Sequence, residues 1–195
     1  MSDQILERHQ PVGADRTLAS YYAVRGAVSL AWVAAALVLG STSSFIAGAL
    51  LLFYPAWDAL ANVVDARQHG GLRDNPTQAF NMAVSGLTTV AVGIALTVSL
   101  NAVLGVFGVW AAMSGLLQLA TAVRRWKRTG AQWVMMVSGA QSAAAGAMFV
   151  LAARAPETPG VADIAAYAAF GAFYFLASAA WLKFSAARRG RESTP

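Results

Sequence analysis

Apolar residues in this chain come in blocks long enough to cross a bilayer, separated by short polar breaks. The clearest pair of blocks is Phe80–Val98 and Ala102–Val123, divided only at Ser99-Leu100-Asn101 and closed by Arg124-Arg125-Trp126-Lys127-Arg128. At about 1.5 Å rise per residue, each block covers a hydrocarbon core of about 30 Å. The pair therefore reads as one membrane hairpin from Gln78 to Arg128, with a degenerate copy on either side. The first copy predicts helices over Ala19–Leu39 and Phe45–Ala66. They are joined by the polar turn Gly40-Ser41-Thr42-Ser43-Ser44, in which Ser43 or Ser44 would cap the second helix. Pro55 falls inside that helix, where a membrane helix tolerates it with a kink. Pro76 suits the first turn of the third helix. The last copy predicts helices over Gln132–Ala153 and from about Asp163, a candidate cap, to Ala187, linked by Arg154–Val161.

The predicted fold is all-α: a polytopic membrane protein with six transmembrane helices, arranged as three repeated helical hairpins over about 19–66, 77–128 and 131–188. Residues 1–18 form a polar cytoplasmic tail, mobile until Thr17 or Ser20 caps the first helix. The membrane domain covers 19–189, and 190–195 form a polar tail. The opening stretch carries Asp3, Glu7 and Asp15, which does not suit a cleaved signal peptide, so the first helix should insert uncleaved.

Composition strengthens this picture. The chain is 57% hydrophobic and 12% charged, whereas a soluble domain carries about 25% charged residues. Net charge is +5, but most of the basic residues sit at the ends of apolar runs, where membrane topology accounts for them without nucleic acid. Arg8, Arg16, Arg67, Arg73, Arg124, Arg125, Lys127, Arg128, Lys183, Arg188, Arg189 and Arg191 collect on one side, against Arg154 alone on the other. By the positive-inside rule both termini are cytoplasmic. The cluster Arg124, Arg125, Lys127 and Arg128 fits this placement, with anionic lipid contact as a secondary role. There are no cysteines, and His9 and His69 share no helix face. No metal or cofactor is expected, and no thiol chemistry is available.

The repeat extends to single positions. In the odd helices, residues spaced by four read Arg25–Ser29–Val33, Ser85–Thr89–Gly93 and Ser138–Ser142–Gly146, and a glycine follows the first member each time (Gly26, Gly86, Gly139). The even helices show Tyr54–Asp58–Asn62, Trp110–Ser114–Gln118 and Tyr174–Ser178–Leu182, and each ends in a basic residue, Arg67, Arg124 or Arg188. Spacing by four keeps each set on one face. Small and modestly polar residues in such stripes are the ordinary packing surface of membrane helices. Asn62 and Gln118 are expected to hydrogen-bond between helices. Trp126 and Trp133 are expected as interfacial anchors, and Trp32, Trp57, Trp110 and Trp181 as packing.

Arg25 and Asp58 differ, because a charge inside hydrocarbon is costly and is usually paired or functional. Folding the first hairpin about Ser41 sets the two at matching depth, close enough to pair. A structural ion pair, a proton- or ion-responsive site, and a lipid-headgroup or partner contact are the three readings of this pair. Asp65 falls at the cytoplasmic edge, where it would balance Arg16 or Arg67.

Three hairpins, each opening with a small residue and glycine or its counterpart (Arg25-Gly26, Ser85-Gly86, Ser138-Gly139), and even helices ending in a polar stripe and a basic turn, as in Trp110–Arg128, resemble the HdeD-like family of small bacterial inner-membrane proteins. The resemblance covers about residues 19–189. It implies a multi-pass protein of the bacterial inner membrane with a role in acid resistance or envelope stress, and it supplies no catalytic residues. The function expected is non-enzymatic, exerted through the bilayer or a membrane-protein partner, with oligomeric state left open. The alternative is a small proton-coupled transporter or channel using Arg25 and Asp58. A membrane enzyme ranks last, since the chain has no HExxH pair, cysteine nucleophile or Ser/His/Asp set.

Overall fold

In a computed structural model, which describes residues 12–68, 70–125 and 132–192, every described element is a helix. Six helices follow in order: α1 (Val12–Leu39), α2 (Ser44–Gln68), α3 (Pro76–Leu96), α4 (Leu100–Arg125), α5 (Gln132–Ala152) and α6 (Val161–Glu192). Five contain spans long and apolar enough to cross a membrane, and the described part of α5 adds a shorter apolar helix, Met136–Ala152. The helices expose Leu37, Val38, Phe45, Leu87, Val90, Ile94, Val98, Met148 and Leu151, among other large apolar side chains. A surface this apolar is a liability in water and is solvated by lipid tails. The chain is a multi-pass membrane protein.

Helix ends follow local chemistry. The Ser43 Oγ accepts from Ile46 N at 3.2 Å, and the Ser99 Oγ accepts from Ala102 N at 3.0 Å. The even helices α2 and α4 thus begin with the same serine N-cap, at the equivalent point of successive repeats. In α6 the capping group is Asp163, whose Oδ2 accepts from Gly160 N at 2.6 Å. It caps from inside the first turn, as the reaching-back half of a capping box. Gly70, at φ 96°, closes α2, with Gly71 N donating to Ala66 O at 2.7 Å. This is the Schellman arrangement, and it needs a residue at ease in the left-handed region. Pro76 opens α3 as expected.

The outer boundaries differ from expectation at two places. Helix α1 begins at Val12, ahead of Thr17 and Ser20, because only Gly13 among residues 12–16 disfavours helix; its apolar span is Thr17–Leu39. Helix α6 continues past Ala187 to Glu192, through a basic, polar last turn that no proline interrupts. The N-terminal segment 1–11, the tail residues 193–195, and Trp126, Lys127 and Arg128 lie outside the described residues.

The chain divides into two units, with boundaries inside α1 and α6. The larger, Trp32–Tyr167, packs α2 on α3, α3 on α4, and, most extensively, α4 on α5. The closest packing therefore joins an even helix to the odd helix of the next repeat, rather than the two helices of one hairpin. Four glycines explain the α4–α5 seam. A Cβ added to Gly108 would lie 2.8 Å from the Gly146 carbonyl oxygen, and one on Gly139 would lie 2.8 Å from that of Gly115. One on Gly115 would collide with Ala143 N and Gly139 O, and one on Gly146 would lie 2.5 Å from Gly108 O. Glycines seven residues apart on each helix thus face their counterparts in antiparallel register, backbone against backbone. Such closeness supports Cα–H···O contacts and dispersion along the whole seam.

The other unit joins α1 up to Ala31 with α6 from Ala168. Here Gly26 accommodates Leu176, whose Cγ would lie 2.6 Å from an added Cβ. Here the last, even helix meets the first, odd helix at the glycine of the first repeat. Gly86 departs from the pattern: nothing lies within 4 Å of where its Cβ would stand.

Candidate functional site

The polar centre of the larger unit begins with helix α2. Pro55 lies inside this helix and has no N–H to offer Leu51 O. Trp32 Nε1 donates to the neighbouring carbonyl, Leu50 O, at 2.8 Å, and its ring packs 4.6 Å from that of Tyr54. Tyr54 in turn meets the edge of Trp110 at 5.9 Å, and Phe107 does so at 5.8 Å. One turn beyond Tyr54, this aromatic floor gives way to Asp58.

The Asp58 Oδ2 accepts from Ser85 Oγ of α3 at 2.7 Å and from Asn62 Nδ2 at 3.1 Å. Asn62 also donates to the Asp58 backbone oxygen at 2.8 Å. Trp110 Nε1 of α4 donates to Ser85 Oγ at 3.1 Å. Ser85, Asn62 and Trp110 are buried, and Asp58 is half-buried. A carboxylate in this position is held by donors because a bare charge in such surroundings would be costly. Around it, Ser142 Oγ lies 3.1 Å from Ala111 O and 2.8 Å from Tyr167 OH. The carbonyl can only accept, so the serine proton goes to it and the tyrosine donates to the serine. This ties α4, α5 and α6 together, with Tyr167 in electrostatic range of Asp58.

Arg25 belongs to the other unit, and its neighbours there are aromatic. Its guanidinium stands 4.3 Å over the Phe175 ring and 5.7 Å from that of Tyr21, and Nη1 donates to Tyr21 OH at 3.1 Å. Tyr22 stacks on Phe175 at 6.1 Å. A cation over ring faces gains quadrupole attraction while its long stem stays in apolar surroundings.

Of the residues singled out by sequence, Asp58 and Asn62 form one cluster. Asn62 bonds within its own helix rather than across to another, because its amide sits one turn from both the Asp58 carboxylate and carbonyl. Asp65 is a separate feature, with Oδ2 accepting from Gln78 Nε2 of α3 at 2.9 Å. Arg124 and Arg125 fall in the last turn of α4, and Lys127 and Arg128 lie outside the described residues. Trp32 and Trp110 are buried packing groups, whereas Trp181, expected to pack, is exposed on α6 toward the lipid. Ser85 was legible only as packing. The signal was its place in the repeat, where it stands in the position that Arg25 occupies in the first hairpin.

Residues 84–151 match one protein family model, described as a short repeat of unknown function (DUF308). The matched stretch is about a third of the chain. It runs from the turn of α3 that bears Ser85 through the α4–α5 seam. A search of curated proteins and a search of solved structures each found no match.

Proposed function

We propose that this chain is an HdeD-like protein of the bacterial inner membrane that acts without catalysis in acid or envelope stress resistance, through the bilayer or a membrane partner. The observation that carries the reading is the match of residues 84–151 to a repeat family that includes HdeD-like membrane proteins. The helices support it in kind, because the matched segment is the one whose glycines and serine join neighbouring repeats. The distribution of basic residues supports an orientation with both termini in the cytoplasm. Asp58 is the working residue of this reading.

The test is survival of a deletion strain after acid challenge, complemented with wild type or Asp58→Asn at matched membrane levels. Rescue by wild type and not by the variant is the expected result. A deletion strain that survives as well as its parent would leave the family likeness architectural.

One observation favours a second reading, a proton-coupled transporter or channel. Asp58 is a carboxylate within a span, bonded to exchangeable donors on two helices. Protein reconstituted in liposomes should then pass protons or a solute, and verified insertion without flux would remove this alternative.

A further inference from the structure

The Asp58 carboxylate and the Trp110 indole do not touch the same atom of each other, yet both touch Ser85 Oγ. An ionised carboxylate only accepts, and an indole N–H only donates. The serine hydroxyl has one hydrogen and can accept as well. With Asp58 ionised, the 2.7 Å bond must use the serine hydrogen, which leaves its oxygen to accept the Trp110 N–H at 3.1 Å. The order Trp110 N–H to Ser85 O–H to Asp58 Oδ2 is thereby fixed in one direction. A hydrogen bond to a charged acceptor is stronger than one to a neutral acceptor, and it polarises the hydroxyl so that its oxygen accepts more strongly in turn.

From this chain of contacts we propose that Ser85 is a relay through which the charge of Asp58, in the first repeat, sets the hydrogen bond of Trp110, in the second. The relay spans three helices and is buried: Ser85 is 1% exposed. Trp110 stands on the side of α4 away from Gly108 and Gly115, so α4 carries the indole on one face and the glycine seam on the other. Neutralising Asp58, by a proton or by a bound cation, weakens the anchor on one side of α4 while the seam with α5 holds the other. The helix most deeply involved in packing is in this way made responsive to the charge of Asp58. The functional meaning of this relay rests on Asp58 being the working residue proposed above; the coupling itself is a property of the purified protein and is measured without any survival assay.

The measurement is the indole N–H resonance of Trp110 in full-length protein in micelles, labelled with ¹⁵N at the six tryptophan indoles and assigned by its disappearance in Trp110→Phe. Asp58→Asn keeps an oxygen acceptor and removes the charge. It should move the Trp110 proton upfield, the direction of a weakened hydrogen bond, and leave Trp57, the sequence neighbour of Asp58, in place. Ser85→Ala should move it upfield too, and adding Asp58→Asn in that background should produce no further shift. Ser85→Thr, which keeps the hydroxyl, should restore the wild-type position. An unmoved Trp110 resonance in Asp58→Asn would overturn the relay, as would an equal charge effect in the Ser85→Ala background. Should Asp58→Asn fail to fold, the Ser85 pair decides: a resonance that stays put in Ser85→Ala, or that shifts equally in Ser85→Thr, refutes the proposal.

Discussion

Replacing Gly146 with alanine adds one methyl group to the α4–α5 seam, and the structure says what it would meet. The new Cβ would stand 2.5 Å from Gly108 O and 2.8 Å from Ala112 Cα, both backbone atoms of a neighbouring helix. No rotamer change relieves such a clash, so the helices must part by roughly 1 Å, and a gap of that size forfeits about a quarter to a half of each dispersion well along the seam. Overpacking of a tight interior costs about 1–3 kcal/mol. Gly86→Ala is the matched control. It adds the same methyl at a helical glycine that has nothing within 4 Å. Both changes bring the same gain in helix propensity, about 1 kcal/mol, which cancels in their difference. The difference between them is the steric cost of the seam alone.

Reversible unfolding in mixed micelles, followed by circular dichroism against increasing SDS, reads that difference. Gly146→Ala should unfold at lower SDS than wild type, and Gly86→Ala at the same or higher SDS, with about 1–3 kcal/mol between them. Gly115→Ala and Gly139→Ala should follow Gly146→Ala, because each meets backbone atoms across the same seam. If Gly86→Ala and Gly146→Ala unfold together, the backbone contact between α4 and α5 does not hold the unit together as argued.

Three further outcomes are expected. Trp32→Phe keeps a ring against Tyr54 but removes the donor to Leu50 O, and should lower stability in the same assay by about 1 kcal/mol. Asn101 Nδ2 donates to Ala155 O and Glu157 O, each at 3.1 Å. Asn101→Ala should therefore release the α5–α6 connection and speed tryptic cleavage after Arg154, with little change in global unfolding; an unchanged cleavage rate would show that these bonds do not restrain the loop. The chain has no cysteine, so topology can be read with single substitutions. An impermeant maleimide should label Glu157→Cys in intact cells and Arg73→Cys only after permeabilisation, and the reverse pattern would invert the proposed orientation.

The helices were legible because lipid imposes one strong rule: a span must bury or bond every backbone group and show apolar side chains outward. Phe80–Val98 and Ala102–Val123 announce themselves by length, and Ser43, Pro76 and Asp163 by the termini they suit. Which helices approach most closely was less legible. The repeat in sequence suggested hairpins as units, whereas the tightest seam runs between the second and third of them. That seam depends on Gly108 and Gly115, which lie outside the polar stripes that mark the repeat. Glycine seven residues apart is a modest signal in one helix. It becomes informative only when Gly139 and Gly146 are found at the same spacing on the helix that comes to face it.

The polar centre was legible by half, for a reason that lies in the chemistry of each residue. Asp58 stands out in sequence because a carboxylate within a span has no cheap state there. Ser85 does not, because a hydroxyl in a membrane helix can always return its proton to a carbonyl one turn back, as Thr88 does to Val84 O and Thr89 to Ser85 O. Only the three-dimensional placement separates a serine bonded to its own helix from one that links two others. Ser85 bonds outward because α2 brings Asp58 within 2.7 Å and α4 brings Trp110 within 3.1 Å. In the first repeat the same position is Arg25, which bonds to Tyr21 and lies over Phe175 instead. One repeat position thus holds a cation among aromatics in one unit and a hydroxyl beside a carboxylate in the other. The repeat conserves where the polar group stands, and the helices packed around it decide what it does.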